Sequence, residues 1–384
     1  MADQTLQAGK AAAGGNGAIL DVRFEGDAWV VEFMSEARTA PERLWFHVQC
    51  TGAESRPVRF FWRNAALCLG LRDVASLTSV RPVVCMDDGE WRRVEETSLV
   101  QSPTGHVALQ FETPEGCTDC SAAFCFPYGH SQLRRAVRET AGTWHIETLD
   151  VSAGGRPLVR LLSPSAEGNE AGVYIVARQH SGETPGSWVL DGILRAVAGE
   201  DAGGPLHDVD WWAVPFVNVD GVVEGDYGKD PMPADFNRAW APMPLRPEVY
   251  AIQRDMMHFA GRYGRRLVLD LHAPGGGETG LYQFLPREGR PDEQRTAAES
   301  FAPLLAAQFP DVPAESISRV PDYPSRWDSN HTATCWAWDH LDGTLGVSIE
   351  TSYQALTEEV RLLPEDYRDI GRRLAAVAVA WLKG

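Results

Sequence analysis

The sequence predicts two folded domains in series. The first is an all-β antiparallel sandwich over residues 18–130. The second is an α/β domain over residues 131–384, with a mixed sheet covered by helices on both faces. Three observations predict this. The chain of 384 residues is longer than one average domain and shorter than three. Up to residue 130 its apolar runs are short, rich in Val, Phe and Trp, and uninterrupted by a strong helical pattern. From residue 131 onward, short continuous apolar runs alternate with longer runs of helical period.

Residues 1–17 are polar and Ala/Gly-rich and read as a disordered lead-in. They hold no basic stretch followed by an apolar core, so no signal peptide is expected. No apolar run approaches eighteen residues, so no membrane-spanning helix is expected either. Strands of the first domain are expected at 28–34, 43–50, 58–62, 81–86, 106–112 and 122–126. Asp87-Asp88-Gly89 gives a turn between two of them. A helix is expected at 131–141, with Ser131 as N-cap and Gly142 as its stop. Strand 172–177, helix 185–198, strand 210–217, helix 246–263 and strands 266–271 and 346–349 follow. A closing helix at 365–382 has Pro364 ahead of it and acids in its first turn. Continuous apolar strands between helices mean a largely parallel or mixed sheet with both faces covered.

Composition narrows the function. An apolar fraction of 44% with 23% charged residues fits a globular chain and excludes collagen, coiled coil and wholesale disorder. The charge sum, 35 − 53 = −18, makes nucleic acid and acidic membrane poor partners, and neither is expected. Seven dispersed cysteines without a secretory leader point to reduced thiols and a cytoplasmic location. Cys117 and Cys120 form a C-x-x-C with Cys125 nearby. No second pair exists at matching spacing, so buried thiols are favoured over a zinc site. No G-x-S-x-G element is present, and Gly275-Gly276-Gly277 lacks the Lys-Ser/Thr of a phosphate loop.

Ligands of open α/β sheets bind at the carboxyl ends of the strands. His180 and Glu183 follow strand 172–177, His272 follows 266–271, and Glu350 follows 346–349. Each alone has a plain reading: a surface H-x-x-E pair, a hydrogen-bonded histidine, a solvated glutamate. Together at one sheet edge they form a His₂Glu set with an open position, as a catalytic zinc requires, and leave Glu350 as a base. Asn237-Arg238 offers an amide and a guanidinium fork. These suit a carboxylate, or equally a structural salt bridge.

In order along the chain, H-S-G-E-T-P (180–185), N-V-D-G-V (218–222), D-F-N-R-A-W (235–240), D-L-H (270–272) and S-I-E-T-S-Y (348–353) resemble the M14 zinc carboxypeptidases. The runs L-W-F (44–46), V-R-F (58–60), R-P-V (81–83) and F-C-F-P-Y (124–128) resemble the β-sandwich that precedes the catalytic domain in the cytosolic carboxypeptidase subfamily. The resemblance implies one zinc per chain held by His180, Glu183 and His272. It implies Glu350 as general base and then acid, and Asn237 and Arg238 on the substrate's terminal carboxylate. It implies a catalytic sheet of about eight strands. The activity expected is hydrolysis of the C-terminal peptide or isopeptide bond of a peptide or protein. The alternatives are a zinc amidohydrolase acting on a small N-acyl amino acid or amide, and a non-catalytic binding module.

The chain departs from the family pattern in three places. Val219 replaces the proline of N-P-D-G. The family's carbonyl-polarising Arg falls on Gly228, leaving Lys229 as the nearest cation, an electrostatic stabiliser or a solvated lysine. Arg178 or His331 is the next candidate for that role. Thr334 stands where glutamate-removing members carry an Arg, which with the acidic charge argues against glutamate removal. Tyr323 and Tyr282 are the loop tyrosines near the place of the family's closing tyrosine.

Overall fold

The computed structural model describes residues 6–68, 74–101, 107–140, 142–163, 168–199, 204–322 and 329–384. Ten strands precede residue 124: β1 (Gln7–Lys10), β2 (Ala18–Glu25), β3 (Ala28–Met34), β4 (His47–Arg56), β5 (Val58–Trp62), β6 (Val83–Met86), β7 (Arg92–Arg93), β8 (Ser98–Gln101), β9 (Val107–Glu112) and β10 (Cys117–Ala123). They form two five-stranded sheets, in the orders β1-β4-β10-β6-β7 and β2-β3-β5-β9-β8. Neighbours run antiparallel except β3 and β5, which are parallel. Alternation decides what each strand buries: Val58, Phe60 and Trp62 of β5 point inward while Arg59 and Phe61 are only half-buried. Phe33, Phe46, Phe60, Trp62, Phe111 and Phe124 interlock between the sheets, with Phe33 and Phe46 edge-to-face at 4.9 Å. Asp87 and Asp88 take the left-handed backbone of the expected turn, and Gly89 N donates back to Met86 O at 2.8 Å.

The lead-in is a correction. Residues 7–10 pair with β4, and Leu6 and Asn16 are buried. Asn16 Nδ2 donates to Gly225 O at 2.8 Å, deep in the second half of the chain. The small residues serve close backbone packing: a Cβ on Gly15 would lie 1.9 Å from Ala11 O, and one on Gly17 2.4 Å from Val48 Cγ1.

The second sheet has the order β11-β12-β14-β13-β15-β18-β16-β17. Its strands are β11 (His145–Val151), β12 (Pro157–Leu162), β13 (Ala171–Ala177), β14 (Asp210–Val214), β15 (Arg265–His272), β16 (Leu281–Phe284), β17 (Ser318–Arg319) and β18 (Leu345–Thr351). The central four, β14-β13-β15-β18, are parallel, and antiparallel strands flank them. The main helices are α1 (His130–Glu139), α2 (Thr184–Gly199), α3 (Val219–Glu224), α4 (Pro247–Ala260), α5 (Asp292–Gln308), α6 (Ala333–His340) and α7 (Pro364–Lys383). Val173 and Ile175 of β13 pack with α2 and α7, whereas Tyr174 and Val176 pack with α4 and α6. One strand thus serves two cores, which is why it is apolar throughout. The α1 helix starts one residue before the expected Ser131 cap, because Gln132 Oε1 accepts from Gly129 N at 3.0 Å. No helix among the described residues is long and apolar enough to cross a membrane.

The two regions share one core running from Leu6 to Leu382. Arg93 of β7 donates to Tyr353 O at 3.0 Å and Leu362 O at 2.9 Å, and Phe124 meets Tyr353 edge-on at 5.1 Å.

Candidate active site

The parallel order brings the ends of β13, β15 and β18 side by side, with Ala177 opposite Leu271 and His272 opposite Glu350. His180 and Glu183 lie in the tight turn between β13 and α2. His180 Nδ1 lies 2.8 Å from Glu183 Oε1, and His272 Nδ1 lies 2.8 Å from Glu183 Oε2. The ligand atoms of these three buried residues lie within 4.8 Å of one another. The outer ring nitrogens face carboxylates: His180 Nε2 is 3.2 Å from Asp235 Oδ1, and His272 Nε2 is 3.0 Å from Asp270 Oδ1. A carboxylate at Nε2 holds the proton there and turns the Nδ1 lone pair toward the centre, as metal-binding imidazoles require.

Electrostatics fits a cation at this point. Burial works to lower the His180 imidazole, but Glu183 and Asp235 overcome it and raise it to about 8. His272 is likewise opposed by burial and raised well above the ordinary imidazole range by Asp270 and Glu183. Burial works to raise the Glu183 carboxyl, and the two imidazoles hold it well below its usual range. The cluster therefore draws positive charge between its three donors, and a borderline-soft divalent ion with nitrogen and oxygen ligands meets that demand.

Glu350 stands beside the triad on β18. It is buried, its Oε2 has no hydrogen-bond partner, and burial pushes its carboxyl up to about 7. An orphaned buried carboxylate oxygen is costly unless a ligand or water completes it. Lys229 Nζ lies 3.7 Å from Glu183 Oε1. A cavity of about 490 Å³ is lined by His180, Glu183, His272, Glu350, Lys229, Asn237 and Arg238 together.

The remaining expectations divide. Arg238 lines the cavity and donates through Nη1 to Asn237 O at 2.8 Å. The Asn237 amide is partly occupied by the frame: Oδ1 accepts from Ala333 N at 3.2 Å, and Nδ2 lies 3.0 Å from His272 Nε2. Gly228 has a left-handed φ of +75°, and a Cβ there would sit 2.3 Å from Ser181 Oγ and 2.7 Å from Ser181 N. No side chain fits at 228, and the next residue, Lys229, brings the cation to the cavity. Thr334 and Tyr282 line the wall, with Tyr282 in register with Glu350. Tyr323 falls outside the described residues. Arg178 is buried behind the turn that carries His180 and Glu183, and His331 is exposed; neither lines the cavity. Cys50, Cys117, Cys120 and Cys125 are buried free thiols.

Three contributors escaped the sequence reading. Asp235 accepts from Asn237 N at 2.8 Å and Asp230 N at 2.7 Å while facing His180. Asp270 accepts from Gln179 Nε2 at 2.8 Å while facing His272. A signal for Asp270 was present in D-L-H, since residues two apart on a strand share a face; Asp235 instead caps the short turn at Phe236–Arg238. Glu42, from the connection between β3 and β4, also lines the cavity, and no local signal marks it.

Comparison with known proteins agrees with this geometry. Residues 130–242 match the family Peptidase_M14, described as zinc carboxypeptidase. That segment, which carries His180, Glu183, Asn237 and Arg238, is what this chain shares with the zinc carboxypeptidases. Cytosolic carboxypeptidase 6 of Caenorhabditis elegans is 25% identical over 255 residues, which cover 60% of this chain and 54% of that protein. The chain thus spans about half the length of this relative. An uncharacterized protein of Zymomonas mobilis is 27% identical over 305 residues, 77% of this chain and 74% of its own. Among solved structures, a metallo-carboxypeptidase from Burkholderia cenocepacia superposes with a TM-score of 0.80 over 99% of both chains at 20% identity. A metallo-carboxypeptidase from Pseudomonas aeruginosa, in complex with (2-guanidinoethylmercapto)succinic acid, superposes at 0.78 with 19% identity over 98% of this chain and 99% of its own. At such identity these structures establish the fold of the whole chain, sandwich included.

Proposed function

We propose that the protein is a zinc-dependent carboxypeptidase of the cytoplasm, removing the C-terminal residue of a peptide or protein through a peptide or isopeptide bond. Its domains in this reading are a sandwich reaching to about residue 130 and a catalytic domain over 131–384. One observation carries the proposal: three converging ligand atoms, the orphaned Glu350 carboxylate and Arg238 share one cavity.

His180, Glu183 and His272 would hold zinc, which when bound supplies Lewis acidity to the scissile carbonyl and to the attacking water. The chain's own residues do the rest. Glu350 takes a proton from the water and returns it to the leaving amine. Burial works to raise this carboxyl, the direction that suits a group which must take a proton and give it back. Lys229 supplies fixed positive charge where the carbonyl oxygen becomes negative. Arg238 pairs with the terminal carboxylate, and Asp235 and Asp270 keep the imidazoles oriented.

The test is mass spectrometry of a peptide pool before and after incubation with zinc-loaded protein, with each peptide also supplied C-terminally amidated. Loss of single C-terminal residues from the free acids is expected. Amidation should cost about 2–3 kcal/mol in transition-state binding, the scale of hydrogen bonds to charged groups. Equal cleavage of both forms would refute an exopeptidase.

A further inference from the structure

The residue just before the metal-binding turn is an arginine that the mechanism above does not use. Arg178 is 3% exposed and has a left-handed φ of +60°. For an arginine that backbone is strained, and such outliers persist where surrounding structure holds them. Here the guanidinium folds under the turn that follows. Its Nε donates to Ser181 O at 2.7 Å, and Nη2 donates to the same carbonyl. Nη1 donates to Tyr128 O at 2.8 Å and Ser187 Oγ at 3.1 Å. These hydrogen bonds, all made by the buried fork, go to two carbonyls and a hydroxyl.

Ser181 lies between His180 and Glu183, so its carbonyl sets the distance between two ligands. From the other side the turn is held by Ser181 Oγ donating to Asp226 O at 2.8 Å and Gly182 N donating to Tyr227 O at 2.9 Å. Tyr128, the third anchor, ends the run leading out of the sandwich, and its hydroxyl donates to the buried Asp191 at 2.8 Å. The fork therefore ties the ligand turn to the junction of the two regions. A planar guanidinium reaches three directions at once; an ammonium on a flexible stem does not.

We propose that Arg178 is a positioning residue for the metal centre, fixing through Ser181 O the relative placement of His180 and Glu183; this rests on the zinc reading above. The fork is the feature that matters, rather than the charge alone.

Zinc affinity measured by chelator competition tests this, together with the visible spectrum of the cobalt-substituted protein and the melting of the zinc-free protein. Arg178→Lys keeps the charge and loses the fork. It should weaken zinc binding by about tenfold to a hundredfold, the range seen when outer-shell partners are lost, shift the cobalt bands, and lower kcat more than it changes KM. Arg178→Met should do the same or more; if it does not fold, the lysine variant carries the test. Ser187→Ala removes a contact of the fork away from the turn and should keep wild-type affinity. Wild-type zinc affinity and cobalt spectrum in Arg178→Lys would overturn the proposal. So would equal weakening by Ser187→Ala, which would mean general loosening. If the wild-type protein binds zinc but hydrolyses no peptide, the proposed activity fails while the affinity test still decides the role of Arg178. A wild-type protein that binds no zinc overturns both.

Discussion

Glu350 shows most directly how position creates chemistry. A glutamate on an exposed loop would be an ordinary solvated acid. On β18, in register with His272, it is buried with one oxygen unpaired. Glu350→Gln should keep one zinc per chain and lose at least about a hundredfold in kcat, the usual scale for a general base. Metal analysis with single-turnover kinetics checks both halves, and near-normal turnover would remove Glu350 from the mechanism. Lys229→Ala should lower kcat by about a hundredfold with little change in ground-state binding, since a charge aimed at a developing oxyanion acts mainly in the transition state. A wild-type kcat would make Lys229 a cavity-wall residue. The triad was legible in the sequence because its members follow apolar strands. Asp270 was legible only through its place two residues before His272 on one strand, and Asp235 was not, because it faces a histidine 55 residues away. Glu42 was invisible, because it reaches the cavity from the other region of the chain.

At the scale of elements, legibility followed hydrophobic contrast. The expected strands 28–34 and 58–62 agree with β3 and β5 residue for residue: β5 buries alternate large side chains, and β3 buries Val30, Val31 and Phe33 in a run rich in β-formers. The hairpin β11–β12 was missed: β11 is exposed along nearly its whole length and carries no apolar alternation. The α5 helix was missed too, having Pro303 inside it and few buried residues. The lead-in misled by composition, since Ala and Gly serve close packing as readily as disorder. A sequence likewise cannot announce where two helices touch backbone to backbone. At the crossing of α2 and α7 a Cβ on Gly371 would lie 2.0 Å from Val189 O, and one on Gly192 2.1 Å from Arg368 O. No flexible side chain can yield there. Gly371→Ala should therefore cost about 1–3 kcal/mol, the scale of overpacking, read as a lower urea midpoint. Because the crossing lies away from the ligands, zinc stoichiometry should stay at one. An unchanged midpoint would mean that the helices separate freely.

For the whole molecule the question is whether the sandwich is an accessory or part of the body that carries the cavity. Three contacts make it part. Asn16 reaches Gly225 near the loop that carries Lys229, Glu42 lines the cavity, and Arg93 grips the chain just beyond Glu350. Arg93 is the most informative of these. Its guanidinium donates to Arg81 O at 2.7 Å in its own region and to Tyr353 O and Leu362 O across the junction, and it stacks over Phe126 at 4.9 Å. Arg93→Met keeps much of the apolar stem but leaves two carbonyls of the second region without this donor. Charge-assisted hydrogen bonds of this kind contribute about 1.5–3 kcal/mol each, so a loss of about 3 kcal/mol or more is expected. Because one hydrophobic core spans the junction, the loss should appear as a lower melting temperature of a single transition, in wild type and variant alike. Calorimetry distinguishes the outcomes. Two separated transitions in the wild-type protein would show that the sandwich folds on its own. A single transition unmoved by Arg93→Met would show that the junction is held by the aromatic contacts and not by this arginine.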